Sequence, residues 1–488
     1  MQLLNLKTVF WLKYPAFIAC LLILVGCSGK RKQPQDKPNI IYIFTDQQSA
    51  SMMSCAGNKW LKTPAIDYIA HNGIRFTRAY TTNPVCSPAR VSLMTGRFPG
   101  AFKDAAGNQV RENEGSVKIP LISEEVRNTT IASFMKKAGY DLVYGGKQHL
   151  PKPLSPLELG FKVICDDARD KLASETSRFI KEKHANPYFM VVSLINPHDI
   201  CFMPIRDFAV SESVKKFVSN SEVECSTLDK ALQIPEGVTE KDFLEKYCPP
   251  LPPNYEPQRD EPEAIKSLIG KSAGLPNSNF IKLAREKYSD SDWRRHRWAY
   301  ARLTELADKS IQTILDAVRE SGQEKNTLII FSSDHGEMDG AHRMVHKTAF
   351  YEESANIPFL AMWKGHIPAG QVDNDHLVSN GLDLLPTVCD YAGINGLSDP
   401  RGRSLRPLFE KRSVPWRETL GVESEIGRMV VSMGKLKYMK YDAVGTEEQL
   451  FDLNQDPYEM TPCTNDPKYK DGLEEMRKIF KSEWFPGF

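Results

Sequence analysis

The five residues Ile40-Ile41-Tyr42-Ile43-Phe44 run without polar interruption between Asn39 and Thr45. Such a run suits a central parallel strand covered on both faces, because a half-exposed strand alternates apolar with polar residues. It stops at Asp46-Gln47. Three further runs, 140–144, 188–195 and 327–333, end comparably in Gly145-Gly146-Lys147-Gln148-His149, Asn196-Pro197-His198 and Asp334-His335-Gly336. Helical stretches lie between them. Thr63-Pro64 opens one, which Gly73 closes, and Asn128-Thr129-Thr130 caps another that stops at Gly139. A longer one, 299–320, carries Leu303, Leu306, Ile311, Ile314, Leu315 and Val318 roughly on one side.

Strand alternating with helix predicts an α/β fold: a large, doubly wound, mostly parallel sheet flanked by helices. In such sheets ligands collect at the carboxyl ends of the strands. Four predicted strands bring Asp, His or Lys to that edge, and together they point to one site. With 488 residues, one large domain and a smaller one are expected. The large one is assigned to 39–410, with 198–298 as inserted loops on account of the polyproline-like Cys248-Pro249-Pro250-Leu251-Pro252-Pro253 and the acidic stretch 260–263. Trp293, Arg294, Arg295, His296 and Arg297 at the end of that insertion either reach an anionic substrate or form a solvated helix start. Short β-like runs and a final helix over about 472–484 predict a small antiparallel sheet with one helix on it, assigned to 411–488.

Cys86 lies in Asn83-Pro84-Val85-Cys86-Ser87-Pro88-Ala89-Arg90, where Ser87 reads as a helix N-cap, Pro88 as the first helical residue and Gly96 as the stop. That reading places Cys86 just outside the positive end of a short helix, with Arg90 one turn in, a setting that attracts an anion. A buried cysteine beside an ordinary helix is the alternative.

The N-terminus reads as an export signal. Lys7 and Lys13 precede the apolar run 16–25, shorter than a membrane span, and Leu24-Val25-Gly26-Cys27 resembles a bacterial lipobox. Residues 1–26 are then a lipoprotein signal peptide, Cys27 the lipidated N-terminus, and 27–38 a polar tether. The basic stretch Ser28-Gly29-Lys30-Arg31-Lys32 favours a periplasmic, outer-membrane-attached location over surface display. The 63 basic and 62 acidic residues nearly cancel, which argues against a general nucleic-acid-binding surface. The remaining cysteines are scattered and lack zinc-like spacing, so mostly free thiols, or one or two pairs, are expected.

Asp46 and Asp334, with Gln47 and His335 beside them, form an oxygen-rich donor set that favours calcium or magnesium and leaves manganese or zinc open. Arg90, Lys147 and Lys347 neutralise a multiply charged group, and His149 and His198 move protons. A sulfate or phosphate ester fits that inventory.

Cys86-Ser87-Pro88-Ala89-Arg90 followed by Thr95-Gly96-Arg97 resembles the signature of the type I, formylglycine-dependent sulfatases of the alkaline-phosphatase superfamily. The resemblance continues through Asp46, Gly146-Lys147-Gln148-His149-Leu150, Asn196-Pro197-His198, Ser333-Asp334-His335-Gly336-Glu337, Lys347 and Tyr351-Glu352-Glu353-Ser354. It reaches Leu450-Phe451-Asp452-Leu453-Asn454-Gln455-Asp456-Pro457 and so covers nearly all the chain after the signal. It implies that a sulfatase-maturating enzyme converts Cys86 to formylglycine, which works as the hydrated aldehyde. Asp46, Gln47, Cys86, Asp334 and His335 match metal positions, with calcium the expected ion. Arg90 and Lys147 match residues that hold the nucleophile and the sulfate. His198 is implied to protonate the leaving alcohol beside Lys347, and His149 to assist sulfate release. His346 is a further substrate contact, as is His342 in the same loop, with a structural role as the alternative for both. Three departures stand out: Gln47 replaces a second Asp, Gln148 an aromatic residue, and Asp199-Ile200 the usual approach to a proline.

The expected activity is hydrolysis of a sulfate ester on a carbohydrate or glycosaminoglycan fragment. The alternatives are a phosphonate monoester or phosphodiester hydrolase with the same nucleophile, and an inactive lipoprotein that binds sulfated glycans.

Overall fold

The computed structural model describes residues 37–111, 118–270, 278–394, 401–442 and 447–486. The segment 1–26 expected as a signal peptide, Cys27 and nearly all of the expected tether lie outside the described residues.

Strands β1 (Asn39–Asp46), β2 (Ile74–Phe76), β3 (Ala79–Tyr80), β4 (Asp141–Gly146), β5 (Lys162–Cys165), β6 (Tyr188–Pro197), β7 (Thr327–Ser333), β8 (Phe359–Met362) and β9 (Gln371–Asp373) are followed by β10 (Val378–Ser379). Eight of them form one sheet in the order β5-β4-β6-β1-β7-β8-β2-β9, and β3 pairs with β10. The β4-β6-β1-β7 centre is parallel throughout, whereas β8 runs antiparallel to both its neighbours. All four charged strand ends therefore lie along one edge. The chain reaches β4 and β6 on one side of β1 and β7 on the other, so β1 marks the switch in strand order where such sheets bind ligands.

The unbroken apolar character of β1 has its cause in two cores. Ile40, Tyr42 and Phe44 pack with Val91 and Met94 of the helix Cys86–Thr95 and with Leu384 and Val388 of Asn380–Tyr391. Ile41 and Ile43 face the opposite core, with Ile66 and Ile69 of Pro64–His71 and Ile311, Ile314 and Leu315 of Asp290–Glu320. Period-two side-chain direction puts each of the five residues 40–44 into one core or the other.

The region 198–298, expected as inserted loops, is largely helical: Phe202–Asp207, Glu212–Ser219, Glu222–Leu232, Glu263–Gly270 and Phe280–Lys287 lie within it. Phe202, Met203, Leu228 and Ala231 pack on Ala299, Tyr300 and Leu303, which supplies the burial that such short helices need. The long helix begins at Asp290, nine residues earlier than expected, behind a capping box between Ser289 and Asp292. Of its expected apolar stripe, Leu306 is exposed.

Strands β11 (Thr419–Ser424), β12 (Gly427–Ser432), β13 (Leu436–Tyr441) and β14 (Glu448–Asp452) make the expected small antiparallel sheet, with the helix Lys470–Ile479 packed on it through Leu473 and Met476. This sheet braces the segment that leads into Cys86. The Glu423 backbone N–H donates to the Thr82 carbonyl at 3.0 Å, and the Ser424 hydroxyl to the Thr348 carbonyl at 2.8 Å. Thr348 in turn donates to the Pro84 carbonyl at 3.0 Å. Residues from Lys37 onward form one compact unit.

Candidate active site

Cys86 is the first residue of its helix and does not stand outside it. Val85, extended at φ −150° and ψ 140°, occupies the cap position, and no side chain caps the helix there. The Val85 carbonyl accepts the Ala89 N–H at 3.0 Å, so the helix starts two residues earlier than a Ser87 cap allows. Gly96 ends it in the left-handed region, as expected. The consequence for Cys86 is stronger positioning: both its backbone and the first-turn N–H groups belong to the positive helix end.

The four strand ends converge on that residue. Asp46 Oδ1 lies 3.6 Å from Cys86 Sγ, and His335 Nε2 lies 3.2 Å away. Lys347 Nζ stands at 2.9 Å. Ligand atoms of Asp46, Cys86, Asp334 and His335 all fall within 4.8 Å of one another, and all four residues are buried. His335 Nδ1 faces the Gly336 carbonyl at 2.8 Å, which directs Nε2 toward the cluster, and although burial opposes it, Asp334 and Cys86 raise the imidazole above its usual value.

Arg90 ties the two carboxylates together. Its Nη2 donates to Asp46 Oδ2 at 2.8 Å and its Nε to Asp334 Oδ2 at 2.9 Å. The remaining Nη1 donates to the Lys147 carbonyl and the Ser193 hydroxyl, each at 2.8 Å. Lys147 Nζ also reaches Asp46 Oδ2, at 2.7 Å. The outer oxygens are thus bound to cations of the chain, while the Oδ1 atoms face Cys86 and His335. Gly146 permits the approach at Lys147, because its φ is +92° and a Cβ there would stand 2.1 Å from the Ser193 carbonyl oxygen.

Charge and burial set the protonation states. Burial and Asp46 push the Cys86 thiol up, but Lys347, Lys147 and His335 outweigh them and hold it well below the usual thiol range. Burial likewise opposes ionisation of Asp46, yet Lys147, Arg90 and Lys347 keep it well below the ordinary carboxylate value. Burial, with Lys147 and Lys347, drives His198 well below its usual value, so it is neutral before an anion arrives. His149, next but one on the loop after Lys147, is half-buried and has φ 46°.

Gln47 sits beside the cluster with a positive φ of 74°. Its Oε1 accepts from Lys347 Nζ at 2.9 Å and its backbone N–H donates to Asp334 Oδ1 at 3.1 Å. His346 is half-buried, packed edge-on to Phe280 at 5.5 Å, and burial together with Lys347 lowers it to about 3. His342 lies apart: it is fully buried and stacks on Tyr351 at 3.9 Å. The basic group at 293–297 is consumed elsewhere. Arg294 donates to the Cys248 and Pro249 carbonyls, Arg295 pairs with Glu240, Arg297 with Asp339, and Trp293 is fully buried.

Ser193, Cys201 and Glu337 carry no role that their sequence context announces. Ser193 is the one aliphatic hydroxyl in the run Tyr188-Phe189-Met190-Val191-Val192-Ser193-Leu194-Ile195, a polar residue inside a strand buried on both faces. That interruption is the available signal. All eight cysteines among the described residues are free.

The donors fit a hard divalent cation: two buried carboxylates with inward Oδ1 atoms and one correctly presented imidazole surround residue 86. No helix among the described residues is long and apolar enough to cross a membrane.

Residues 38–394 match the family model described as Sulfatase, and 340–483 match the one described as N-sulphoglucosamine sulphohydrolase, C-terminal. A Delta 4,5-hexuronate-2-O-sulfatase of Bacteroides thetaiotaomicron is 26% identical over 478 residues, covering 92% of this chain and 89% of that protein. An arylsulfatase of Clostridium perfringens is 27% identical over 487 residues, covering 92% and 94%. Among solved structures, a 2-O GAG sulfatase superposes with a TM-score of 0.75 at 24% identity over 91% of both chains. A phosphonate monoester hydrolase of Agrobacterium radiobacter gives 0.66 at 21% identity over 91% and 95%.

Proposed function

The chain belongs to the sulfatase family and is a sulfuric ester hydrolase; we propose that its substrate is a sulfated carbohydrate or glycosaminoglycan fragment and that Cys86 is converted to formylglycine by a maturating enzyme. One observation carries this reading: four adjacent parallel strand ends and one helix start surround residue 86 with two carboxylates, an imidazole, two lysines and an arginine. The relative named for hexuronate 2-O-sulfate supports a sugar substrate.

Asp46, Asp334, His335 and residue 86 would hold the cation, proposed as calcium, with the Gln47 carbonyl beside them. When bound, the cation supplies positive charge against the negative charge that develops on the ester oxygens. Formylglycine supplies, as its hydrate, an oxygen nucleophile whose sulfate ester can collapse internally.

The chain's own side chains do the remaining work. Arg90 keeps the two carboxylates in place, and Lys147 and Lys347 flank residue 86 where the sulfate oxygens arrive. His198 is neutral in the free site, and an incoming sulfate offsets the two lysines that keep it so. It then holds the proton that the leaving alcohol takes. His149 is the group proposed to accept a proton as sulfate departs. His346 borders the substrate side as a neutral contact.

Turnover of p-nitrophenyl sulfate and sulfated disaccharides, set against phosphodiester and phosphonate esters, tests the reading. Preferential sulfate release is expected, and turnover of phosphorus esters alone overturns it. We propose further that the protein is an exported lipoprotein of the periplasm, anchored in the outer membrane through lipidated Cys27. Labelled fatty acid should enter the wild-type chain and be absent from Cys27→Ala.

A further inference from the structure

The geometry assigns a role to Glu337: it is a positioning residue that acts through the Gln47 amide to hold Lys347 against residue 86. The proposal rests on the placement of Lys347 at the sulfate site.

Glu337 is 1% exposed and follows His335 by two residues. Its backbone is fixed on both sides, the N–H donating to Ser49 Oγ and to the Glu353 carbonyl, each at 3.1 Å, and the carbonyl accepting from Ser49 Oγ at 3.0 Å. One carboxylate oxygen, Oε1, accepts the His346 N–H at 2.6 Å and the Asp339 N–H at 3.3 Å. That contact closes the turn whose next residue is Lys347. The other oxygen, Oε2, accepts from Gln47 Nε2.

An amide between a carboxylate and an ammonium has one satisfactory orientation. The carboxylate only accepts and the ammonium only donates, so Gln47 must turn its NH₂ to Glu337 and its Oε1 to Lys347. Lys347 Nζ then bonds to Gln47 Oε1 and Cys86 Sγ, both at 2.9 Å. Cys201 Sγ lies 2.9 Å from Nε2 and 3.2 Å from Oε1, and a thiol serves either orientation. Glu337 therefore sets the direction.

Glu337→Gln tests the relay. The new side chain still offers Oε1 to the His346 and Asp339 N–H groups, but it turns an NH₂ toward the Gln47 NH₂. Gln47 must flip and present hydrogens to Lys347, or lose a buried bond. A double variant that combines Glu337→Gln with Gln47→Glu restores the chain of donors and acceptors: the new amide at position 337 donates to one oxygen of the new carboxylate at position 47, and the other oxygen accepts from Lys347.

The readouts are kcat/KM on p-nitrophenyl sulfate and Kd for inorganic sulfate by calorimetry, with the thermal midpoint recorded for each protein. E337Q is expected to lower kcat/KM by ~10-fold or more and to weaken sulfate binding, and the double variant to recover most of both. A merely structural Glu337 changes the midpoint without that recovery. Wild-type behaviour in E337Q, or a double variant no better than E337Q, overturns the proposal. A wild type that binds sulfate without hydrolysing sulfate esters contradicts the activity assignment instead, and the relay is then read from the sulfate Kd.

Discussion

Arg90 Nη2 lies 2.8 Å from Asp46 Oδ2 at a point where neither residue is more than 1% exposed, and the same guanidinium donates to Asp334 through Nε. One side chain from a helix start thereby fixes the ends of two parallel strands. Its planar fork is what makes this possible, and a lysine cannot reproduce it.

Replacing Arg90 by Met should destabilise the fold by about 3 kcal/mol or more, because it strands buried carboxylates without their shared counter-charge. Urea unfolding measures the loss. Arg90→Lys should keep part of the stability and still lose most activity. Equal activity in wild type and Arg90→Lys would show that the geometry of the carboxylate pair does not matter.

Removal of divalent metal should lower both activity and thermal midpoint. Asp46 and Asp334 are fully buried with their Oδ1 atoms toward residue 86, and a cation that binds only the folded state stabilises it by ~2.7 kcal/mol at a concentration about 100 times its Kd. Dialysis against a chelator followed by calorimetric scans with added calcium, magnesium or manganese reads the effect and the preference. Calcium should restore the most.

Lys347→Ala should reduce kcat/KM by about 100-fold or more, since the ammonium stands 2.9 Å from the nucleophilic position and no other described lysine contacts that sulfur. Lys347→Arg should recover little, because the guanidinium cannot occupy the point between Cys86 and Gln47. Steady-state kinetics on p-nitrophenyl sulfate decide between these outcomes.

Glu423 offers a pH test away from the site. Burial raises its carboxyl from 4.5 to about 7, against the opposing pull of the Gly100 hydrogen bond and of Arg428, Arg111 and Arg401. The unfolded chain ionises near 4.5 and the folded one near 7, so stability is unaffected below pH 4.5 and declines as pH rises across that window. The loss amounts to ~3 kcal/mol at most. Glu423→Gln keeps an acceptor for Gly100 and should be more stable than wild type at about pH 8, with the difference shrinking toward about pH 5. Urea midpoints at the two pH values check the sign.

The central strands were readable from sequence because each is buried on both faces, which writes a mostly apolar run, and because Asp, Lys or His follows within three residues of each run's end. The Cys86 helix was displaced by a short step. Ser87-Pro88 carries a strong local capping signal, yet Val85 takes the cap conformation and starts the helix at Cys86. Strand β11 carries no uninterrupted apolar run: Gly421 breaks its pattern because Trp484 lies against it, 2.7 Å from where a Cβ would stand. The helices between His198 and Ser289 are short and draw apolar partners from the distant helix Asp290–Glu320, although Ala264, Ile265, Leu268 and Ile269 do stand at helical spacing. Glu337 lay inside a recognised motif, but its role depends on Gln47, 290 residues away in sequence. The long helix, expected from 299, begins at Asp290 because Ser289 and Asp292 form a capping box ahead of its apolar stripe.

Mass spectrometry of the peptide containing residue 86, from protein produced in its native host and shown to hydrolyse a sulfate ester, tests the account most directly. The account predicts the mass of formylglycine or its hydrate at that position. An unmodified thiol at Cys86 in fully active protein would contradict it.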